Sequence, residues 1–121
     1  MEGKTVLIIE DSYTSYLLIA ETLKFEGYEI QYAVDVSEAL TLIANKPPDL
    51  IILDLNMPEM TGYDFLSMKE QLGIECVPVI VVSALDSPES KSKVKTLGGT
   101  DFIPKPVNLK LLIERVKSLI A

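Results

Sequence analysis

Four of the five short apolar segments in this sequence end in side chains that can carry out chemistry. These side chains belong to Glu10, Asp11, Asp54, Ser83 and Lys105. If the fold brings them together, three carboxylates share one spot, and like charges about 4 Å apart repel by roughly 4 kcal/mol at an effective dielectric constant of 20. A hard divalent cation would offset this repulsion. Mg²⁺ is the natural choice because it takes one or two carboxylates, keeps water ligands and binds phosphate oxygens.

The same set of groups predicts a site for phosphoryl chemistry. A carboxylate beside a divalent cation can attack phosphorus and form an aspartyl phosphate, and Lys105 can pair with a phosphoryl oxygen. The Ser83 hydroxyl and the amides of Leu55 and Ala84 are available to the other oxygens, whereas Leu85 is apolar and offers none. The simpler alternative is that each carboxylate caps the helix after it. That alternative accounts for any one residue but poorly for the whole set.

The chain contains no histidine, which removes histidine bases, histidine metal ligands and all Ser-His-Asp or Cys-His sites. Cys76 is the only cysteine, so no internal disulfide can form, and its place beside Val77 and Pro78 predicts a small packed residue. No apolar run approaches the roughly 20 residues that span a bilayer, and the N-terminus shows no signal-peptide pattern. These features predict a cytoplasmic protein that does not enter a membrane.

The net charge of −7 argues against direct binding of nucleic acid, because phosphate contacts need a basic footprint. The charge is uneven along the chain: residues 1–90 carry 16 acids and 4 bases, and residues 91–121 carry 2 acids and 7 bases. Solvated helix faces with lysines near helix C-termini explain this pattern. A partner-binding face in the last third of the chain is the alternative.

Short β-branched runs alternate with longer amphipathic stretches. The runs predict strands at 5–9, 29–33, 50–53, 79–82 and 101–103. Adjacent apolar residues in the first, third and fourth runs are typical of strands covered on both faces. The stretches predict helices at 13–26, 36–45, 62–72, 88–97 and 109–120. The first helix is expected to bury a broad apolar face that comprises Leu17, Leu18, Ala20, Leu23 and Phe25.

Capping signals mark the starts of three of these helices. Asp35 with Glu38 three residues later indicates a capping box. Ser87 followed by Pro88 is typical of an N-cap with proline at the first helical position. Asn108 is an N-cap for the last helix.

Five β-α repeats with short connections predict one α/β domain over residues 1–121, with an open parallel five-stranded sheet and helices on both faces. In such sheets, ligands bind outside the carboxyl ends of the strands. The chemistry-bearing side chains are therefore expected at a single edge of the sheet.

The sequence resembles a known family through four motifs that occur in the family's order. They are IIEDS, LIILDLNMPEMTG, VIVVSA and GGTDFIPKP. Over essentially its whole length the chain resembles the receiver domains of two-component response regulators. The resemblance implies a flavodoxin-like (βα)5 fold with strand order 2-1-3-4-5.

The resemblance also implies the roles of the acidic residues. Asp54 is expected to be the phosphoacceptor. Asp11 is expected to bind Mg²⁺ directly and Glu10 through water, while Asp54 and the backbone carbonyl of Asn56 complete the protein ligands. Mn²⁺ is expected to substitute for Mg²⁺. Glu10 stands where Asp is commoner, and its longer reach suits a water-mediated role.

Further roles implied by the resemblance concern the last two strands. Ser83 corresponds to the switch hydroxyl and Lys105 to the phosphate-binding lysine, and the Lys105–Pro106 peptide bond is expected to be cis. Phe102 corresponds to the aromatic residue that changes rotamer on phosphorylation. Plain core packing of Phe102 in the last strand is the alternative.

The loop after Asp54 is expected to fold over that residue. Pro58 fixes one φ angle, and Gly62 is expected to free another.

By the same resemblance, residues 56 and 85 flank the line along which water attacks an acyl phosphate. Asn56 can hold a water molecule by a hydrogen bond, whereas Leu85 cannot and is expected to crowd its path. Self-dephosphorylation is therefore expected to be slower than in relatives that carry a polar or acidic side chain at the position of Leu85. The alternative is that Leu85 packs against the following helix and leaves the water alone.

The resemblance implies a phosphorylation-activated signalling switch and not an enzyme. The phosphoryl group would come from a phosphohistidine of a sensor histidine kinase or a phosphotransfer protein. It would change the face formed by the last two helices and the last strand, and residues 87–120 are a candidate docking or homodimer face. The sequence contains no output domain, so the output is either an attached domain in a longer protein or a separate downstream protein.

Three rival interpretations fit less well. An Asp-nucleophile phosphohydrolase needs a second Asp two residues after the first, and here that position is Asn56. A flavin-binding protein of this fold needs a Ser/Thr/Gly-rich loop after the first strand, whereas EDSYTSY begins with two acids. A receiver that binds partners without phosphorylation is disfavoured by intact Asp54, Ser83 and Lys105.

Overall fold

The computed structural model describes residues 3–57 and 60–120, and in it five strands alternate with five helices. The strands are β1 Thr5–Ile9, β2 Glu29–Ala33, β3 Leu50–Leu53, β4 Val79–Ser83 and β5 Asp101–Pro104. The helices are α1 Tyr13–Phe25, α2 Val36–Asn45, α3 Gly62–Ser67, α4 Pro88–Thr96 and α5 Leu109–Ile120. The predicted alternation is confirmed, and β4 and β5 each extend one residue farther than the sequence pattern indicates.

The strands form one parallel sheet in the order β2-β1-β3-β4-β5. The register aligns the strand ends: Ile9 pairs with Ala33 on one side and with Leu53 on the other, and Ser83 pairs with Pro104. The predicted fold class and strand order are therefore confirmed, and the residues that follow these strand ends meet at one edge.

The sheet is covered on both faces, as the apolar runs predict. On one face, Val6, Ile8 and Ile52 pack with residues of α1 and α5. On the other, Leu7 and Ile51 pack with residues of α2, α3 and α4. Each fully buried Leu, Ile or Val contributes roughly 1.5–3 kcal/mol, so the two cores hold the strand ends in place.

The predicted helix caps are largely confirmed. Ser87 accepts a bond from the Ser90 N–H, and Asn108 Oδ1 accepts one from the Leu111 N–H. Asp35 Oδ1 accepts the Glu38 N–H at 2.8 Å. The reciprocal bond differs from the expectation, because Glu38 reaches the N–H of Val34 and not that of Asp35.

Helix α3 is shorter than the sequence predicts, ending at Ser67 where the pattern indicates residue 72. Its C-cap Met68 donates its N–H to the carbonyl of Phe65 three residues earlier, and Lys69 does the same to Leu66. The chain then continues in turns to Gly73, which has φ +71°. Lys69 follows Phe65 by four residues and Leu66 by three, and its side chain is buried on the same face as theirs.

The predicted apolar face of α1 is only partly correct. The buried residues of the helix are Ile19, Ala20 and Leu23. Leu17, Leu18 and Phe25 are exposed, Phe25 by 90%. At 100° per residue, Leu18 and Phe25 point away from the stripe of Ala20 and Leu23, whereas Leu17 lies at its edge.

The predicted packing of Cys76 is wrong, because Cys76 is exposed. The turn from Glu75 to Val77 places the neighbouring Val77 against the core instead.

Within the described part of the chain, no helix is long and apolar enough to span a bilayer.

Candidate phosphoryl-transfer site

Backbone hydrogen bonds fix the residues that follow the strands. The Glu10 N–H donates to the last carbonyl of β2, and the Asp54 N–H donates to the last carbonyl of β1, both at 3.0 Å. On the other side of the site, the Lys105 N–H donates to the Ser83 carbonyl at 3.0 Å. The parallel ladder therefore continues one residue past the strands and carries these side chains to the same edge.

The three predicted acids form one cluster. One carboxylate oxygen from each of Glu10, Asp11 and Asp54 lies within 4.8 Å of the others. Glu10 and Asp54 are buried, with 3% and 6% of their surface exposed, whereas Asp11 is exposed. This arrangement opens to solvent on the Asp11 side.

The Lys105 ammonium lies between two of these carboxylates. Its Nζ is 2.8 Å from Glu10 Oε1 and 3.5 Å from Asp54 Oδ2. Buried carboxylates such as Glu10 and Asp54 need a partner of opposite charge. Lys105 is that partner for both. The sequence predicts this convergence of residues 10, 54 and 105 from the strand ends alone.

Burial and mutual repulsion shift the pKa values of these groups. Burial raises the pKa of Glu10 above 4.5, as does the charge of Asp54, and the hydrogen bond from Lys105 opposes the shift. Burial and the neighbouring Glu10 raise the pKa of Asp11 above 3.8. Burial lowers the pKa of Lys105, but its bond to Glu10 and the charge of Asp54 outweigh it, and the net shift is upward from 10.5.

The donor set fits a hard divalent cation. The three clustered side chains supply carboxylate oxygens and no nitrogen or sulfur, which is the ligand chemistry that Mg²⁺ prefers. Asn56, whose carbonyl is expected to be a further ligand, adjoins the cluster and donates its N–H to Asp54 Oδ1 at 3.2 Å. These residues can therefore hold a metal ion.

The groups expected to meet a phosphoryl group lie on the β4 side of the cluster and after β3. Ser83 is fully buried, and its Oγ accepts the Leu85 N–H at 3.0 Å. Leu55 is buried and Ala84 is exposed. Leu85 is 46% exposed, so core packing covers only part of its side chain.

Phe102 and Pro106 complete the predicted set. Phe102 is half-buried against the core that contains α2, α3 and α4. The Lys91 Nζ lies 5.8 Å from the centroid of its ring. The Lys105–Pro106 peptide bond, expected to be cis, is cis in the structure.

Gly62 has a different role from the one expected. The glycines with positive φ among the described residues are Gly27, Gly73 and Gly98, so Gly62 does not need an unusual φ. A Cβ at Gly62 would lie 2.7 Å from the Asp54 carbonyl oxygen, and glycine is therefore required for close packing. Pro58, the other loop residue singled out, lies outside the described residues.

A tyrosine cluster beside the acids was not assigned from the sequence. The rings of Tyr16 and Tyr32 stack with centroids 3.7 Å apart, and Tyr13 lies 5.7 Å from Tyr16. Burial raises the pKa of Tyr32, and the nearby Glu10 charge raises it further. The i, i+3 spacing of Tyr13 and Tyr16 was the available signal.

Comparison with known proteins decides the family. The profile of the response regulator receiver domain family matches residues 6–117. This chain belongs to that family. It is 32% identical over 115 residues to the response regulator MprA of Mycobacterium sp. (strain KMS), which covers 95% of this chain and 50% of MprA. It is 30% identical over 118 residues to the probable transcriptional regulatory protein TcrX of Mycobacterium tuberculosis, covering 96% and 49% of the two chains.

Solved structures agree with the assignment. The receiver domain superposes on Vibrio cholerae chemotaxis protein CheY4 with a TM-score of 0.90 at 32% identity, covering 98% of this chain and 99% of the other. A putative response regulator from Chloroflexus aurantiacus gives a TM-score of 0.92 at 27% identity, with 98% of each chain covered.

This receiver domain spans about half the length of the curated relatives that it matches. Membership of the family makes it a two-component signalling module. Its cluster of Glu10, Asp11, Asp54 and Lys105 lies at the sheet edge where ligands bind in folds of this kind.

Proposed function

We propose that this receiver domain is a phosphorylation-activated signalling switch that accepts a phosphoryl group on Asp54. The donor is a phosphohistidine of a sensor histidine kinase or a phosphotransfer protein. The observation that carries the proposal is the cluster of three carboxylates within 4.8 Å together with an ammonium 3.5 Å from Asp54. A phosphoryl acceptor needs this combination of nucleophile and positive charge.

The transfer is a single displacement at phosphorus. An Asp54 carboxylate oxygen forms the new P–O bond while the P–N bond of the phosphohistidine breaks. The electron pair of that bond stays on the imidazole nitrogen, and because the other ring nitrogen carries a proton, the ring leaves as neutral imidazole. The product is an acyl phosphate on Asp54.

Glu10, Asp11, Asp54 and the Asn56 carbonyl would hold Mg²⁺, or Mn²⁺ in its place. When bound, the ion would supply positive charge for the phosphoryl oxygens and offset the repulsion among the acids.

The protein's own groups hold the phosphoryl oxygens after transfer. Lys105 is expected to exchange part of its bond to Glu10 for a phosphoryl oxygen, because the phosphoryl group brings more negative charge to Asp54. The Ser83 hydroxyl, now engaged by the Leu85 N–H at 3.0 Å, would turn to another oxygen. The amides of Leu55 and Ala84 are the remaining donors.

The signal then leaves through the face formed by α4, β5 and α5. Movement of the Ser83 hydroxyl would free space beside Phe102, and this half-buried ring would then turn inward. The movement of these two side chains would shift the surface formed by residues 87–120 from one of two conformations toward the other. That surface is a candidate site for a downstream protein, an attached output domain or a second copy of the chain.

The protein is an acceptor and a switch in this proposal, and not an enzyme. The phosphoryl group stays on its own Asp54 and is lost by slow self-dephosphorylation. The net charge of −7 argues that DNA is not a direct ligand of this chain. A cytoplasmic location is part of the same proposal.

Phosphorylation is tested with acetyl phosphate or phosphoramidate in Mg²⁺, read by intact-mass spectrometry and peptide mapping. Wild-type protein and the control Asp86→Asn, an exposed aspartate outside the cluster, should gain one phosphoryl group. Asp54→Asn should gain none. Equal labelling of Asp54→Asn would refute the assignment.

The output route is tested by NMR. Phosphorylation of the wild type should shift amide resonances within residues 87–117. Ser83→Ala should still be labelled at Asp54 but show smaller shifts there. Wild-type shifts confined to the neighbourhood of Asp54 would contradict the proposed route.

A further inference from the structure

Few apolar contacts hold α4 to the domain. Val94 is the only buried residue between Pro88 and Thr96. Helices in globular proteins are fixed mainly by an apolar face packed on the core. Other contacts must therefore contribute to the position of α4.

Two lysines of α4 lie over aromatic rings on opposite flanks of the helix. The Lys93 Nζ is 4.2 Å from the centroid of the Tyr63 ring on α3, and the Lys91 Nζ is 5.8 Å from that of Phe102 on β5. An ammonium within about 6 Å of an aromatic centroid is attracted to the face of the ring. The shorter contact joins α4 to α3.

The residue before Tyr63 packs against the backbone of the proposed phosphoacceptor. That residue is Gly62, whose N–H donates to the Leu55 carbonyl at 3.0 Å. A Cβ on Gly62 would lie 2.7 Å from the Asp54 carbonyl oxygen and 2.8 Å from Leu55 Cα. The start of α3 is therefore packed directly on Asp54 and Leu55. A shift of that backbone would move Tyr63 with it.

We propose that the contact between Tyr63 and Lys93 positions α4 and stabilises the arrangement that α4 adopts when Asp54 is unmodified. The inference rests on the proposed function and adds to it a link between the phosphoacceptor backbone and the output face. Tyr63 and Lys93 are positioning residues. Loss of their contact favours the phosphoryl-bound arrangement and so tightens binding of a phosphoryl group at Asp54.

The size of the effect follows from the exposure of Lys93. Cation–π contacts at exposed sites are weak, and they correspond to about a two- to fivefold change in an equilibrium constant. Such a change is measurable by titration.

The probe is beryllium fluoride in the presence of Mg²⁺, a phosphoryl analogue that binds carboxylates, with occupancy read from the amide resonances of Ser83 and Leu85. Tyr63→Leu keeps an apolar side chain against the core but has no π face, and Lys93→Met keeps the apolar stem but has no charge. Each variant should bind the analogue about two- to fivefold more tightly than the wild type. The double variant should bind no more tightly than either single variant, because both remove one contact.

Conservative variants and a charge control separate loss of this contact from loss of a positive charge on α4 and from changes in packing. Tyr63→Phe and Lys93→Arg keep the ring and the cation and should bind like the wild type. Lys95→Met removes a charge from the same helix, and Lys95 has no cation–π contact with any residue in 3–57 or 60–120. It should also bind like the wild type.

The outcomes distinguish this inference from the proposed function. If the wild type binds the analogue, Asp54→Asn does not, and Tyr63→Leu and Lys93→Met match the wild type, the inference alone is overturned. Additive effects in the double variant, or an equal effect of Lys95→Met, also overturn it. If the wild type does not bind, or Asp54→Asn binds equally well, the proposed function itself fails. Because Lys93 lies on the surface, Lys93→Met keeps the test valid even if Tyr63→Leu does not fold.

Discussion

The Lys105 ammonium pairs with Glu10 at 2.8 Å and lies farther, at 3.5 Å, from Asp54. The lysine therefore binds most closely to the carboxylate that is not the proposed nucleophile. Glu10 is almost fully buried, whereas the Lys105 side chain is 23% exposed. This geometry makes Lys105 a counter-charge for both acids, and we expect it to compete with a metal ion for them.

Lys105→Met should have two opposite effects. In chelator the variant should be less stable than the wild type, by less than the roughly 3–5 kcal/mol seen for fully buried pairs, because Lys105 is partly exposed. Its Mg²⁺ dissociation constant should fall about fivefold, since removal of one competing charge near 4 Å is worth about 1 kcal/mol in water.

Calorimetric titration with Mg²⁺ and urea unfolding measure the two effects of Lys105→Met. Lys110→Met removes an exposed lysine of α5 and serves as the control. Weaker Mg²⁺ binding by Lys105→Met would show that the lysine does not compete for the cluster.

Mg²⁺ should stabilise the fold without any phosphoryl donor, because it relieves repulsion among Glu10, Asp11 and Asp54. At 100 times the dissociation constant, a ligand adds about 2.7 kcal/mol. Thermal unfolding in excess Mg²⁺ and in chelator gives the difference. Asp11→Asn should remove most of it and Asp86→Asn should not. Identical melting of the wild type in both conditions would argue against a metal site.

The persistence of the acyl phosphate should depend on Leu85. Leu85→Gln and Leu85→Glu supply a polar group that can hold the attacking water by a hydrogen bond of about 1 kcal/mol. Phosphate loss should therefore be about fivefold faster. Phosphorylated protein is followed by mass spectrometry over time, with Phe25→Gln, an exposed apolar residue at the far end of α1, as the control. An unchanged decay rate with unchanged Mg²⁺ affinity would leave Leu85 as a packing residue only.

Lys69 should make the stability depend on pH. Its side chain is buried, and its Nζ donates to the Val77 carbonyl at 2.8 Å and the Gly98 carbonyl at 3.4 Å. Burial lowers its pKa below 10.5. Between the lowered folded pKa and the ordinary unfolded one, the unfolded chain binds more protons, so stability rises with pH in that window.

The Lys69 contribution is isolated by comparison with Lys69→Met in urea unfolding at pH values up to that of an ordinary lysine pKa. The stability of the wild type relative to the variant should increase as the pH rises. The variant also leaves two carbonyls without this donor, at roughly 1–3 kcal/mol each if they stay unsatisfied, but that cost does not depend on pH. If the stability of the wild type relative to the variant falls as the pH rises, burial does not lower the pKa of Lys69.

The sequence alone predicts the residues that meet at the site. Parallel strands that alternate with helices bring all carboxyl ends to one edge, so Glu10, Asp54 and Lys105 converge although 95 positions separate the first from the last. This inference needs only the order of elements and the residue types at their ends. Local caps such as Ser87 and Asn108 are equally predictable, because their partners lie three residues away.

The tertiary structure alone decides which apolar and charged side chains find partners. Periodicity gives α1 an apolar face, but the packing of α5 and the sheet determines that Ala20 is buried and Phe25 is exposed. Lys69 follows buried Phe65 and Leu66 by four and three residues and so lies on their face, and only the fold supplies the two distant carbonyls that accept its ammonium. Lys93 meets Tyr63 because the fold packs α4 beside α3. Such contacts join elements that are far apart in the chain, and their energies depend on distances that no local pattern of residues encodes.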